Sequence, residues 1–297
     1  MILIADSGST KTDWVLVELE ETRIVSQVKS QGINPIHQSP NDIRHILEHE
    51  LITPLSFVKG PWAVDHIYYY GAGCTPVYAP RMEQLLAETL LPLAPGAMPM
   101  ASNPKPLKVE VRSDLFGAAR ALFGDDEGIA CILGTGANSG LFDGKTIISN
   151  TPALGYILGD EGSGAVMGRL FLNAIFKNPQ MADLRDDFLR ANKLDQGIII
   201  NKVYREPLAN RFLASLSPYI HDHLDHPILH KLVVDNFRNF FRSNIDPYSR
   251  KDLPVGFVGS MAEHYPDELR EAAQAEGYHV GTILQSPMDG LVEYHTR

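Results

Sequence analysis

The stretch Asp6-Ser7-Gly8-Ser9-Thr10-Lys11-Thr12 decides which fold we expect for this chain. It lies between an apolar run at residues 2–5 and a β-prone run at residues 14–19, a pattern that predicts two strands joined by a tight turn. Small residues let backbone N–H groups and hydroxyls approach a phosphate closely. Asp6, at the end of the first strand, can hold Mg²⁺ through water, because Mg²⁺ keeps part of its hydration shell. An ordinary β-hairpin turn would suit the same residues equally well.

Strands and helices alternate through the first 123 residues. Period-2 and short apolar patterns predict further strands at residues 23–28, 66–70 and 107–111. Apolar residues at helical spacing predict helices at residues 41–55, 79–91 and 114–123. This alternation is typical of an α/β sheet.

The opening pattern returns after a polar break at residues 124–128. An apolar strand at residues 129–133 leads into Gly134-Thr135-Gly136-Ala137-Asn138-Ser139-Gly140, and strand patterns follow on either side of an Asp-Gly turn. A dinucleotide fingerprint is excluded, because Gly140 lies one residue too far and the next segment is not a helix. The repeat predicts two domains, residues 1–123 and 124–297, with a cleft between them. A glycine-rich hairpin without a ligand remains the alternative for this second turn.

A third motif occurs near the end of the chain. The strand predicted at residues 255–258 ends at Gly259-Ser260, where a helix begins. Such an edge can lie flat against an adenine or a ribose. Alone the motif says little, since strand, glycine and helix often follow one another.

The bulk composition excludes several classes of protein. Lys and Arg number 26 against 36 Asp and Glu, a net charge of −10, and the basic stripe of a nucleic-acid binder is missing. No apolar run reaches the ~18–20 residues that cross a bilayer, and the N-terminus lacks a signal-peptide pattern. The two cysteines, Cys74 and Cys131, form neither a disulfide framework nor a four-thiolate metal site. We therefore expect a cytoplasmic protein with no nucleic-acid or membrane partner.

The three motifs together resemble the ATPase domain of the actin, Hsp70 and sugar-kinase superfamily. The residues from Gly8 to Asp13, those from Gly134 to Asn138, and Gly159-Asp160-Glu161-Gly162-Ser163 resemble the BadF/BadG/BcrA/BcrD ATPase family, and within it the N-acetylglucosamine kinases. The resemblance implies an α/β protein of two ribonuclease H-like (actin-like ATPase) domains, with a final helix at about residues 288–297 that can return to the first domain. It also implies ATP and Mg²⁺ as cofactors and transfer of phosphate to an amino sugar, N-acetylglucosamine giving its 6-phosphate. It leaves a homodimer open.

The resemblance also assigns roles to single positions. It implies nucleotide contacts at Ser9, Thr10, Lys11, Thr12, Gly134, Thr135, Gly136, Gly259 and Ser260. It implies sugar contacts at Asn34, Asp114, Thr135, Gly155 and Asp160. Asp114 matches the catalytic carboxylate, which receives the proton of the sugar hydroxyl. The role of Glu161 stays open.

Two of these roles have simpler alternatives. Asp114 can merely complement a helix dipole behind a Ser113 cap. Asp160 can belong to a solvated acidic turn. The kinases carry Trp-Gly where this chain has Leu154-Gly155, so a kinase of N-acetylmuramic acid or of glucosamine is an alternative.

Two other classes of function compete with a kinase. Partner-activating ATPases of the same family carry a cysteine-ligated iron–sulfur cluster, and Cys74 and Cys131 lack the arrangement that such a cluster requires. A non-catalytic sensor of nucleotide or sugar is disfavoured by the set of Asp6, Asp114 and Asp160.

Overall fold

The computed structural model describes residues 1–8, 10–59, 62–93 and 107–297. Its strands are β1 Ile2–Ser7, β2 Lys11–Glu18, β3 Arg23–Gln31, β4 His66–Gly71, β5 Lys108–Ser113, β6 Glu127–Leu133, β7 Ala137–Asp143, β8 Ile147–Ser149, β9 Val255–Val258 and β10 Val280–Leu284. The strand expected at residues 255–258 is confirmed residue by residue.

The α-helices are α1 Pro40–Ile46, α2 Thr53–Leu55, α3 Ala79–Thr89, α4 Asp114–Phe123, α5 Gly155–Leu158, α6 Gly164–Lys177, α7 Ala182–Asn192, α8 Gln196–Tyr204, α9 Ala209–Ala214, α10 Ser217–His221, α11 Pro227–Phe240, α12 Ser260–His264, α13 Pro266–Glu276 and α14 Met288–Thr296. Wider π-helical turns follow α1 at Leu47–Ile52 and α11 at Phe241–Ile245. Short 3₁₀ turns lie at Leu91–Leu93, Pro179–Met181 and Asp246–Tyr248. None of these described helices is both long and apolar enough to span a membrane.

The chain divides into two compact units. Unit 1 comprises Met1–Gly124 and Pro287–Arg297, and unit 2 comprises Asp125–Ser286. The expected boundary, between residues 123 and 124, lies one residue before the end of the first segment of unit 1. Residues 287–297, which the expected boundaries place in the second domain, belong to unit 1.

Unit 1 is built on a five-stranded sheet in the order β3-β2-β1-β4-β5. β1, β4 and β5 run parallel, and β2 and β3 are added as an antiparallel ribbon. In the parallel register Asp6 is opposite Tyr70, and Tyr70 is opposite Arg112. The carboxyl ends of β1, β4 and β5 therefore meet at one edge of the sheet, where ligands bind in open α/β sheets.

Helix α14 completes one face of unit 1. It packs against α4 so closely that a Cβ at Gly290 would lie 2.5 Å from the Ala121 carbonyl oxygen. The His295 ring stacks on Tyr68 at 3.6 Å between centroids and bonds to the Tyr70 hydroxyl at 2.7 Å. Burial, with the nearby charge of Arg120, lowers the pKa of His295 to about 3, so His295 is neutral in the folded protein.

Unit 2 repeats this plan with the sheet order β10-β9-β6-β7-β8. β6, β9 and β10 are parallel, and β7 and β8 are antiparallel to their neighbours. The helices from α5 to α11 lie in the chain between β8 and β9. The apolar stripe of α11 packs into the core of this unit, with Val233, Phe237 and Phe240 at 0% exposure.

Candidate active site

Two carboxylates stand at the carboxyl edge of the unit 1 sheet. Asp6 is the penultimate residue of β1, and Asp114 follows directly after β5. Burial raises the pKa of Asp6 to about 7, and the negative charges of Asp114 and Asp13 add to that rise. The parallel ladder thus places Asp114 close enough to influence the ionisation of Asp6.

Asp114 occupies the first turn of α4, but it is not the cap of that helix. Ser113 is the N-cap, and its hydroxyl accepts a hydrogen bond from the Phe116 N–H at 3.2 Å. Asp114 Oδ1 accepts one from the Leu115 N–H at 2.8 Å. Burial raises the pKa of Asp114, although the backbone N–H groups of Leu115 and of Asp114 itself oppose the rise. Its other oxygen, Oδ2, accepts no hydrogen bond from the side chain of any residue that the structure describes.

The first turn is held by bonds within unit 1. The Gly8 N–H donates to the Lys11 carbonyl at 2.9 Å, and the Lys11 ammonium pairs with Asp13 at 2.7 Å. Thr10 and Lys11 are exposed at the turn. Ser9, which we also expect to contact nucleotide, lies outside the described residues.

Thr12 is placed differently from its neighbours in this motif. Its side chain is fully buried, and its hydroxyl lies 2.7 Å from the Ser7 hydroxyl and donates to the Gln31 carbonyl at 3.0 Å. Ser7 in turn exchanges hydrogen bonds with the backbone of Ile33, 3.2 Å in both directions. These hydroxyls bind the first turn to the loop that carries Asn34.

The Asn34 loop has a second support in Gln38. The Asn34 N–H donates to Gln38 Oε1 at 2.8 Å, and Gln38 Nε2 donates to the Gly32 carbonyl at 3.0 Å. Asn34 Oδ1 accepts from the Ile36 N–H at 3.0 Å, which closes a tight turn around Pro35. The expected sugar contact Asn34 is therefore held in one backbone conformation.

Gly73 makes room for Asn34. It has φ +77°, and a Cβ at this position would lie 2.2 Å from Asn34 Oδ1. Only glycine satisfies both the left-handed backbone and this close approach. The sequence shows Gly71-Ala72-Gly73 only as a break after a strand, so this role was not predicted.

In unit 2 the second turn is closed by backbone bonds. The Gly134 N–H donates to the Gly136 carbonyl at 3.0 Å. The Gly134 and Thr135 carbonyls accept from the first two amides of α6, at 2.9 and 3.1 Å. Ser163 caps the same helix by accepting from the Val166 N–H. These amides of α6 already have partners, so the helix end serves to hold the turn.

Asp160 lies beside this second turn, in a left-handed backbone conformation with φ +53°. A Cβ at Gly136 would come within 2.9 Å of Asp160 Oδ2. Burial raises the pKa of Asp160 to about 6, the charge of Glu161 adds to the rise, and backbone N–H groups of Ala137 and Gly155 oppose it. The carboxylate is thus buried at 9% exposure yet largely ionised at neutral pH.

Two buried asparagines hold the segment around Asp160. Asn236, at 1% exposure, accepts from the Gly162 N–H at 3.1 Å. The Asn244 side-chain amide donates to Glu161 Oε2 at 3.2 Å, and the Asn244 backbone carbonyl accepts from the Thr151 hydroxyl at 2.9 Å. Asn244 sits in the π-helical turn after α11, a feature frequent at functional sites. The only sign of this role in the sequence is that Asn236 and Asn244 interrupt an apolar stripe at helical spacing.

The third motif lies next to the second turn. Gly259 has φ +122°, and a Cβ there would lie 2.3 Å from the Leu133 carbonyl oxygen, at the end of β6. The parallel pairing of Ile132 with Val258 brings these strand ends together. Ser260 begins α12 and is exposed. Within unit 2 the structure therefore gathers Gly134, Thr135, Gly136, Asp160, Gly259 and Ser260 at one edge of the sheet.

Comparison with solved structures identifies the relatives of the chain. It is 44% identical to the putative N-acetylglucosamine kinase of Porphyromonas gingivalis over 100% of its own length and 99% of the other chain, with a TM-score of 0.87. The chain belongs to the family of that protein. No family model matches the chain, and no curated protein matches it.

More distant members of the fold share the architecture. The putative N-acetylglucosamine kinase of Chromobacterium violaceum is 16% identical, with a TM-score of 0.69 over 99% of this chain and 98% of that one. A ROK-family glucokinase of Streptomyces griseus, solved with glucose and AMPPNP, is 16% identical, with a TM-score of 0.52 over 98% and 97%. The expected fold class is confirmed as two α/β units, each on a mixed five-stranded sheet, in the fold of the sugar kinases.

Leu154 and Gly155 have an unusual backbone conformation. Both have positive φ, 61° and 74°, and they open the short helix α5. Leu154 is 64% exposed, and Ile157 and Leu158 of the same helix are 74% and 75% exposed. Because a left-handed conformation costs a leucine roughly 1–2 kcal/mol, this segment holds strain typical of functional sites.

The donor set at the unit 1 edge fits a hydrated Mg²⁺ ion. Asp6 and Asp114 supply carboxylate oxygens. Burial is the main cause of the raised pKa of Asp6, and the negative charges of Asp114 and Asp13, which a cation would offset, add to it. In the described part of the chain no three His, Cys, Asp or Glu side chains are grouped to enclose a metal. A cation at Asp6 would therefore keep most of its water ligands, as Mg²⁺ does.

Proposed function

We propose that this protein is an ATP-dependent amino-sugar kinase of the BadF/BadG/BcrA/BcrD family, which converts N-acetylglucosamine to its 6-phosphate. The observation that carries the proposal is the 44% identity, over the full chain, with the putative N-acetylglucosamine kinase of Porphyromonas gingivalis. The carboxylates at the two sheet edges support the same reaction class.

Asp114 acts as the proton acceptor. The oxygen of the sugar hydroxyl attacks the γ-phosphorus of ATP, the bond to the β–γ bridging oxygen breaks, ADP leaves, and the hydroxyl proton passes to Asp114 Oδ2. A carboxylate whose pKa is raised is a better base than an ordinary aspartate. The bond from the Leu115 N–H fixes Oδ1, which leaves Oδ2 for the proton.

Asp6 would hold Mg²⁺ through water. When bound, the ion neutralises charge on the phosphates. Asp6 must be ionised for this purpose, and its pKa of about 7 makes that ionisation sensitive to pH near neutrality.

The three turns contact the nucleotide. Ser9, Thr10 and Lys11 receive phosphate in unit 1, while Gly134, Thr135 and Gly136 do so in unit 2. Thr12 contributes from the interior, because its hydroxyl holds Ser7 and Gln31. Gly259 and Ser260 contact the adenosine.

The sugar is bound by Asn34, Thr135, Gly155 and Asp160, with Asp114 at the reacting hydroxyl. Asp160 can accept hydrogen bonds from sugar hydroxyls, since its pKa of about 6 leaves it mostly ionised at neutral pH. The Asn34 side chain has a fixed orientation, which suits recognition of one arrangement of hydroxyls.

A coupled ADP-release assay with separate sugars tests the proposal. We expect turnover with N-acetylglucosamine, and the panel includes glucosamine, N-acetylmuramic acid, N-acetylmannosamine and glucose because Leu154 replaces the tryptophan of the kinases. Asp114→Asn should lower turnover by at least about a hundredfold while ATP binding is retained. Near-normal turnover of this variant would remove Asp114 from the catalytic role.

The assay also separates the kinase from a partner-activating ATPase. Slow ATP hydrolysis that no sugar stimulates would favour the activator. The state of the thiols speaks against an activator: Cys74 and Cys131 are buried, and burial raises the pKa of both. Buried thiols with raised pKa also suit a reducing, cytoplasmic location, which we propose for this protein.

A further inference from the structure

Unit 1 contains a cavity of about 320 Å³ between α1 and α3. Its floor is apolar and includes Ile43, Met82 and Leu85. Its rim carries the charged side chains of Arg44, Arg81 and Glu88. A volume near 300 Å³ is at the lower end of the range for small-molecule sites.

The charges on the rim leave one cation without a counter-ion. Arg44 pairs with Glu88 at 3.0 Å, and that carboxylate also accepts from the Gln84 amide at 2.8 Å. Arg81 forms no ion pair or hydrogen bond with any described residue. A guanidinium presents paired N–H donors that match phosphate and carboxylate oxygens. In a chain with net charge −10, an unpaired arginine at the mouth of a cavity favours an anionic ligand.

The cavity also touches the loop that carries Asn34. Pro35 and Gln38 line it, and Gln38 is the residue whose amide binds both the Asn34 N–H and the Gly32 carbonyl. A ligand in the cavity would therefore contact the side chain that fixes this loop.

We propose that this cavity binds a small phosphorylated sugar, with its phosphate on Arg81 and the apolar face of its ring on the floor. A sugar ring has C–H faces for the apolar floor and hydroxyl edges for the polar rim. Binding would alter the Asn34 loop through Gln38 and so change the affinity for the substrate sugar. That last effect rests on the proposed function, whereas the binding does not.

Isothermal titration of the full chain, without ATP, tests the binding. The titrants are N-acetylglucosamine 6-phosphate, inorganic phosphate and unphosphorylated N-acetylglucosamine. We expect the sugar phosphate to bind wild type, and Arg81→Gln to weaken that binding at least about tenfold, since a charge-assisted bidentate contact is lost. Arg81→Lys should lie between the two. Arg23→Gln, an exposed arginine on β3 outside the cavity, is the matched control and should bind as wild type does.

Each other outcome contradicts part of the proposal. Absence of binding to wild type overturns it, and so does binding that Arg81→Gln leaves unchanged, since the ligand then sits elsewhere. If inorganic phosphate binds as tightly as the sugar phosphate, the cavity is a general anion site, and the proposal that its ligand is a sugar is overturned. In the kinase assay, Arg81→Gln should abolish any effect of the sugar phosphate on the sugar KM. If no sugar is phosphorylated, the proposed function fails while the titration still decides the site.

Discussion

The Asp160 carboxylate lies against Gly136, so close that a Cβ at Gly136 would stand 2.9 Å from Asp160 Oδ2. Gly136 belongs to the second turn, which we assign to phosphate, and Asp160 to the segment that we assign to sugar. The two assignments are thus physically joined within unit 2. A change in the second turn must therefore displace the segment that carries Asp160, because the interior leaves no room for a methyl group.

Gly136→Ala tests this relationship. The added Cβ should displace the Asp160 carboxylate and raise the sugar KM about tenfold or more, and kinetics with varied sugar at saturating ATP would measure it. Gly134→Ala is the matched comparison, because its Cβ would meet no atom within 4 Å. It should leave the sugar KM near the wild-type value even if the ATP KM changes. Equal effects of the two variants on the sugar KM would refute the coupling.

Gly73→Ala should disturb Asn34 in unit 1. The new Cβ would lie 2.2 Å from Asn34 Oδ1, so the side chain must leave its place, and we expect a higher sugar KM with little change in the ATP KM. Gly277→Ala has the same backbone strain, φ +78°, with only the end of Lys251 nearby. Both variants should lose roughly 1 kcal/mol of stability from that strain. Only Gly73→Ala should change the sugar KM, and a similar change in Gly277→Ala would show that strain alone is responsible.

Asp6→Asn should change stability in a pH-dependent way. The pKa of Asp6 is about 7 in the folded protein against an ordinary 3.8, so the folded state binds the proton more tightly than the unfolded state. Ionising Asp6 therefore costs folding free energy, and this cost grows as pH rises from about 4 to about 7. The variant avoids this cost, so its Tm should exceed that of wild type by more at pH 8 than at pH 5. Each kcal/mol of the cost corresponds to roughly 2–4 °C in Tm.

Melting curves in EDTA, across this pH range, provide the measurement for Asp6. Asp267→Asn is a suitable control, since that side chain is 93% exposed and should shift Tm little at either pH. A Tm difference for Asp6→Asn that does not vary with pH would show that the pKa of Asp6 is not raised in the folded protein. The same variant should require more Mg²⁺ for turnover.

Asn236→Leu should destabilise the segment around Asp160. The substitution leaves the Gly162 N–H buried without an acceptor, at a cost of about 1–3 kcal/mol in urea unfolding. Asn239→Leu on the same helix is exposed and should cost less than about 0.5 kcal/mol. Sugar KM should rise in the first variant alone. If both variants unfold at the same urea concentration, the hydrogen bond to Gly162 contributes nothing to stability.

Much of the fold follows from local patterns in the sequence. α4 begins at Asp114 and ends at Phe123 as expected, because Ser113 caps it and Gly124 follows it. The helix expected to begin at Ser260 ends already at His264, because a proline disfavours the helical conformation of the residue before it, here Tyr265. That break was visible in the sequence.

Other features depend on contacts that no local pattern contains. Residues 137–140 read as a glycine-rich turn, yet they form the start of β7, because pairing with β6 places Ser139 opposite Cys131. Strand formation here is decided by the neighbouring strand and not by propensity. The contact of Gly73 with Asn34 and the hydrogen bond from the Gly162 N–H to Asn236 Oδ1 join residues far apart in the chain, so one sequence could not reveal them.

The return of α14 to unit 1 has a consequence for biosynthesis. The ribosome delivers residues 1–124 first, but the helix that covers α4 arrives only after residues 125–286 have been made. Unit 2 is continuous in the chain, whereas the α4 face of unit 1 stays uncovered until the last residues of the chain have been made. The unit made first is therefore completed only by the last helix of the chain, and until then the face of α4 that α14 covers is open to solvent.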